Sequence, residues 1–189
     1  MPPATQTSDE DLALWAASGD RSAFDRLVER HAGRVLAVLE RRLGDHHQAL
    51  DLAQEAWIRV YHALGKFEPG RNFRSWLFAI VLNGARDEFR RRTRSRVIYM
   101  DDFSAVGRPA QESDQQEIEA ALLRVGEPFR TSLILVDIEG LSYEEAAEAQ
   151  EIAVGTAKSR VNRGRAAFRD AWRRASGETD AGAPAGVGL

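Results

Sequence analysis

LSYEEAAEAQEIAVGTAKSRVNRGRAAFR, residues 141–169, reads as two helices joined by a tight turn. Ser142 followed three residues later by Glu145 is a capping-box pattern: the serine oxygen accepts from a free helix amide while the glutamate reaches back to the serine amide. Ala146, Ala147 and Ala149 keep one flank of the first helix small, so another helix can approach closely. Gln150 to Val154 is too short for anything but a turn. Glu151 stands at the turn position that often holds glycine, where a positive φ would cost a non-glycine residue about 1 kcal/mol. Gly155 and Thr156 open the second helix, whose first amides suit a phosphate. Ala157, Val161, Phe168 and Trp172 recur at helical spacing and are predicted to pack inward, while Lys158, Arg160, Arg163, Arg165 and Arg169 spread over the remaining surface.

A short helix, a turn and a longer basic helix make a helix-turn-helix, whose second helix enters the DNA major groove. Its early residues reach base edges, so Lys158, Ser159, Arg160, Asn162 and Arg163 are the candidate readers, with Thr156 beside them at the helix start. Arg165 and Arg169 lie further along and are expected to meet phosphate or solvent. A surface hairpin with a solvated basic face has the same pattern, and this segment alone does not separate the two.

The whole chain carries a net charge of −3 over 189 residues, which on its own argues against nucleic acid. The basic residues are nevertheless blocked, at 86–96 and 158–174, against an acidic start and an acidic segment at 111–119. Two basic blocks on an acidic chain suggest two separate contacts with a polyanion. The absence of cysteine excludes disulfides, thiolate nucleophiles and cysteine zinc sites. No apolar run approaches the roughly 20 residues of a membrane span, and MPPATQTSDED lacks the regions of a signal peptide. The expectation is a cytoplasmic protein without membrane insertion.

Residues 1–7 are expected to be disordered, and Ser8 with Asp11 marks the first helix start. A second helix follows the Gly19-Asp20 turn, with Phe24, Leu27, Val28, His31, Val35, Leu36 and Leu39 repeating every three or four residues. His31, on or beside that face, reads as a packing residue. From Gln48 to Leu64, Ala53, Ala56, Trp57, Val60, Tyr61 and Leu64 form an apolar stripe, with Asp51, Gln54, Glu55, Ile58, Arg59 and His62 opposite. Asp51, Glu55 and Arg59 step by four and can pair along the helix. The row fits a solvated face or a docking surface for a basic helix equally well. After the loop GKFEPGRN (65–72), one long helix runs from Phe73 to Arg92. Trp76, Leu77, Ile80, Val81 and Phe89 are its core candidates, while Ala79, Asn83, Arg86, Asp87 and Arg90 fall on another face. An amide at 83 offers a donor and an acceptor to a base edge, or is part of an ordinary polar face. Residues 96–115 read as a linker in which Val97 to Met100 are unusually apolar, and the glycine- and alanine-rich tail 176–189 is expected to be disordered.

The segment LSYEEAAEAQEIAVGTAKSRVNRGRAAF resembles region 4 of bacterial RNA polymerase sigma factors, and DLAQEAWIRVYHALGKFEPGRNFRSWLFAIVLNGARDEFRRR resembles their region 2. Both occur in that order with a short linker, a layout similar to the extracytoplasmic-function (ECF) sigma factors. The resemblance implies an all-α fold with two small helical domains, a region 2 bundle at 8–95 and a region 4 helix-turn-helix at 116–175, joined by a flexible linker. It implies an alternative sigma factor, without enzymatic activity or cofactor, that directs core RNA polymerase to promoters. On that resemblance Asp51, Gln54, Glu55 and Arg59 meet the β′ clamp helices; Asn83, Arg86, Asp87 and Arg90 serve the −10 element; Thr156, Lys158, Ser159, Arg160, Asn162 and Arg163 serve the −35 element. The β flap is a further polymerase contact, and many relatives have an anti-sigma factor. Three positions depart from the family pattern: Gln150-Glu151 replaces the usual Leu-Gly, Ala157 a larger valine, and Ala79 an arginine. Two other classes compete: a free-standing helix-turn-helix regulator, and a metal-dependent hydrolase using His46, His47, Asp51 and Glu55.

Overall fold

In the computed structural model, residues 7–95 and 114–175 are described, with side chains described to 87 and from 116. The predicted tail and the linker up to residue 113 lie outside them, while Asp114 and Gln115, expected in the linker, are already helical. The described residues fold into helices without a strand: α1 (Asp9–Ala17), α2 (Arg21–Leu43), α3 (His46–Ala63), α4 (Phe73–Ser95), α5 (Asp114–Leu123), α6 (Phe129–Leu133), α7 (Tyr143–Gln150) and α8 (Val154–Ala175). The all-α expectation is met.

Local chemistry sets the boundaries. Ser8, Asp20 and Asp45 each accept from the first-turn amides of α1, α2 and α3. Gly44 closes α2 in the left-handed conformation at φ 70°, and Gly140 turns at φ 68° before α7. After α6 the helix widens into a π turn over Ile134–Ile138. The Glu139 amide donates to the carbonyl of Ile134, five residues back.

Leu12, Leu27, Val35, Leu39, Leu52, Val60, Phe73, Trp76 and Leu77 fill the core of the first half. Phe67, Phe73 and Trp76 meet there edge-to-face or tilted with centroids 5.2–5.9 Å apart, which fixes the 64–72 loop against the start of α4. A second apolar layer joins Val38 of α2 and Phe78 and Leu82 of α4 to Leu122, Leu133, Ile134, Leu135, Leu141, Ala146 and Ala149. The two halves are therefore packed together: α4 lies on α7, and α2 meets α5. Tyr61, expected on an apolar stripe, is exposed, as is Trp15.

Candidate nucleic-acid and partner interfaces

The helix-turn-helix forms as its sequence requires. The capping box is complete, with the Ser142 oxygen accepting from Glu145 N–H and the Glu145 carboxylate accepting from Ser142 N–H at 2.7 Å. Glu151 turns the chain at φ 56°, in the left-handed region. Ala157 and Val161 are fully buried, and Gly164 lies against the backbone of Phe129, so α8 seats closely on α6. Phe168 and Trp172 are only half-buried, stacked on one another at 6.2 Å beside the exposed Ile118.

This seating turns Thr156, Lys158, Ser159, Asn162 and Arg163 to solvent, with Arg160 half-buried between them. Lys158 Nζ lies 5.6 Å from the centre of the Tyr143 ring and 3.9 Å from a Glu144 carboxylate oxygen, so α7 helps position it. The Arg163 guanidinium sits 6.0 Å from the Phe129 ring centre. Two sequence expectations change. The Thr156 amide already donates to the carbonyl of Ala153 at 2.9 Å, so it is not free for a phosphate. Arg165 is exposed but not free: it makes a two-pronged bond to Asp137 at 2.6 and 2.9 Å, which raises the arginine's already high pKa.

On α3, Asp51 and Gln54 are exposed and Glu55 half-exposed, and Ile58 is 58% exposed amid them. The row pairs as its spacing predicts, though loosely, with Arg59 3.9 Å from Glu55. Arg59 also crosses to α4, lying over Gly84 and reaching Asp87 at 3.3 Å. A residue assigned to one candidate surface and a residue assigned to another thus form one ion pair. The His46 ring N–H donates to the Glu40 carboxylate, and no cluster of three metal-ligating side chains occurs among the described residues.

On α4, the Asn83 amide accepts from Arg86 Nη1 at 3.1 Å and donates to Glu151 at 2.8 Å, in the turn of the helix-turn-helix. Arg90 lies on α4, with its side chain outside the described ones. Around this contact the structure gathers residues that sequence reasoning missed. Arg71 donates to Glu148 at 2.7 Å, and Arg74 donates to the Glu139 carbonyl with the Glu139 carboxylate at 3.9 Å. Burial pushes the Glu139 carboxyl above its ordinary value, against the pull of Arg34, Arg74 and Arg41. Arg130 fastens the far end, donating to carbonyls of Val125, Leu123 and Arg42 at 2.7–2.8 Å. Their partners lie up to 88 residues away, so no local pattern announces them.

A helical bundle followed by a helix-turn-helix with a basic second helix defines a DNA-binding class of protein. Residues 27–95 match the family model for Sigma-70 region 2, and residues 115–168 match that for Sigma-70 region 4. The ECF RNA polymerase sigma factor SigE of Mycolicibacterium smegmatis is 37% identical over 92% of this chain and 73% of its own. The RNA polymerase sigma-H factor of Pseudomonas aeruginosa is 34% identical over 87% of this chain and 93% of its own. Among solved structures, the sigma factor RpoE in complex with the anti-sigma factor NepR from Bartonella quintana is 27% identical, with a TM-score of 0.68 over 79% of this chain and 96% of that one. CnrH in complex with the cytosolic domain of CnrY is 33% identical, with a TM-score of 0.65 over 86% of this chain and 95% of that one. The chain belongs to the ECF sigma factors.

Proposed function

We propose that this alternative sigma factor docks on core RNA polymerase through the outer face of α3 and reads the promoter with α4 and α8. The observation that carries the reading is the α3 face: Asp51, Gln54 and Glu55 surround an exposed isoleucine on a helix whose other side is core. An apolar side chain exposed within a polar and charged rim fits the pattern of a partner surface. The β′ clamp helices are its partner, with Arg59 at its border. Asn83, Arg86, Asp87 and Arg90 serve the −10 element, and Thr156, Lys158, Ser159, Arg160, Asn162 and Arg163 the −35 element. Each correct base pair contributes about 1–3 kcal/mol of selectivity. Neither half alone presents many contacts, so joint tethering on the polymerase, including the β flap, supplies effective concentration.

In this reading residues 8–95 and 116–175 are the working domains, 96–115 the link and 176–189 a tail. The protein is a non-catalytic, cytoplasmic subunit. Among the described residues no helix is long and apolar enough to cross a membrane. An anti-sigma factor is a further partner, by analogy with the NepR complex above.

The test is in vitro transcription with purified core polymerase, with and without the protein, on genomic fragments. Transcripts from new discrete start sites are the expected result, and their shared upstream sequences define both elements. Asp51→Ala is expected to weaken core binding about ten-fold, the cost of a moderate interface contact. Unchanged affinity in a holoenzyme titration would remove α3 from the docking surface.

A further inference from the structure

The cations of α8 are held in different ways. Arg165 is gripped by the Asp137 carboxylate, which takes two of its N–H donors. Lys158 lies over the Tyr143 ring but also 3.9 Å from the Glu144 carboxylate, so part of its charge is answered within the protein. Arg163 is exposed and rests over the ring of Phe129, at the start of α6.

The difference is chemical. An aromatic face attracts a guanidinium and fixes where the group sits, while the N–H donors around the edge of its plane stay free. A carboxylate fixes it as well but consumes those donors. Base edges are read through such donors, and an arginine reads best with two at once. The contact over Phe129 therefore suits a reader, and the contact with Asp137 suits a strut.

Phe129 is placed for this. Gly164 has no side chain, so α8 seats against the Phe129 backbone and brings the preceding residue, Arg163, over the ring. The platform itself is anchored. Arg130, the next residue, donates to the carbonyls of Val125 and Leu123 at 2.8 Å, which pins the first turn of α6. Leu133, one turn on, is buried, and Ser132 donates to Gln150 at 2.7 Å, which ties α6 to the end of α7. The ring cannot drift relative to the reading helix without breaking these ties.

We propose that Phe129, on a helix outside the helix-turn-helix, is a specificity-determining positioning residue: its ring pre-aims the Arg163 guanidinium at one −35 base pair. This rests on the functional assignment above, which makes Arg163 a −35 reader. An arginine side chain free in water loses rotamer freedom when it docks on a base. Over the ring, part of that freedom is given up before DNA arrives, and the aim is rewarded only where the base pair is right. Phosphate contacts carry no sequence information and gain nothing from it. Phe129 thus acts on discrimination more than on overall DNA affinity.

The test uses holoenzyme reconstituted from the full chain and core polymerase, on a promoter taken from a mapped start site. Each −35 base pair is substituted in turn, and discrimination is the ratio of initiation on the parent and the substituted promoter. Arg163→Ala first identifies the base pair whose substitution stops mattering. Phe129→Leu is expected to lower discrimination at that base pair about three-fold, as the loss of an exposed cation–π contact implies, and to leave the other −35 positions unchanged. Phe129→Tyr keeps an aromatic face and is expected to retain parental discrimination. In an Arg163→Ala background, Phe129→Leu is expected to add nothing. Full discrimination in Phe129→Leu overturns the aiming role. So does an equal loss at every −35 position, or a loss as large in the tyrosine variant, either of which would reduce Phe129 to a packing residue. If Arg163→Ala leaves discrimination unchanged at every −35 base pair, the functional assignment of Arg163 fails instead.

Discussion

At position 164 the helix-turn-helix has room for a hydrogen and little else. A Cβ there would stand 3.0 Å from the Phe129 carbonyl oxygen and 3.4 Å from the Leu133 Cβ, in a buried seam between α6 and α8. Backbone cannot yield as a side-chain end does, so Gly164→Ala is expected to cost about 1–3 kcal/mol. Gly155, in the first turn of the same helix, has open space around its missing Cβ. Gly155→Ala is expected to be neutral or to add up to about 1 kcal/mol, because alanine favours the helix. Urea midpoints of the two variants, read against the parent, check the contrast. Nothing in the sequence distinguished these two glycines, since both sit in one basic helix and only the packing partner differs. Glu151 was legible in advance, because a turn that short needs a left-handed residue whatever its identity. Its bond to Asn83 was not legible.

At the scale of the element, α1 is held to the bundle by three polar ties. Asp9 accepts from Arg30 and pairs with His31, both at 2.7 Å, and the Glu10 carboxylate accepts from the Phe73 amide at 3.1 Å. Burial lowers the His31 pKa from its ordinary 6.5, despite the neighbouring Asp9. Burial tends to raise the Asp9 pKa, but hydrogen bonding from Arg30 and the pairing with His31 outweigh it, and the net value falls below 3.8. The signs agree. A histidine whose folded pKa is depressed binds fewer protons than the unfolded chain does, so stability is lost as pH falls from about 6.5 toward its folded value. The Asp9 contribution is lost further down, as pH falls from about 3.8 through its folded pKa. The melting temperature is therefore expected to decline from near neutrality downward, and His31→Gln is expected to flatten the upper part of that decline. A parent whose stability is level between pH 7 and 5 would show that the tie is not linked to protonation. The sequence placed His31 on the packing face correctly, since periodicity reports burial. It named no partner, because Asp9 belongs to another helix. Helix starts were readable for the converse reason: Ser8, Asp20, Asp45 and Ser142 cap amides within three residues of themselves. The π turn at Ile134–Ile138 left no trace in the pattern, as an apolar run suits either helical pitch.

For the whole molecule, the feature that no periodicity shows is the layer shared by the two halves. Val38, Phe78 and Leu82 fall outside the core positions that periodicity assigned to their helices, and they complete the core of the second half. Leu82→Ala removes buried contacts worth about 2–5 kcal/mol, chiefly from the contact between halves. The parent is expected to unfold in one calorimetric transition and the variant in two, as the halves lose their common layer. A single transition in both would mean that the remaining contacts suffice to couple them. The candidate sites were legible residue by residue, because charge, exposure and helical spacing are local. Which of them were already engaged was not, because that depends on pairs such as Arg71 with Glu148, 77 residues apart. Glu151 also has a consequence for descent. Every glutamate codon becomes a glycine codon by one change at its second base. A single such event would ease the turn and release Asn83 from its bond to residue 151, so the conformation of the turn and its tie to α4 can change together in one step.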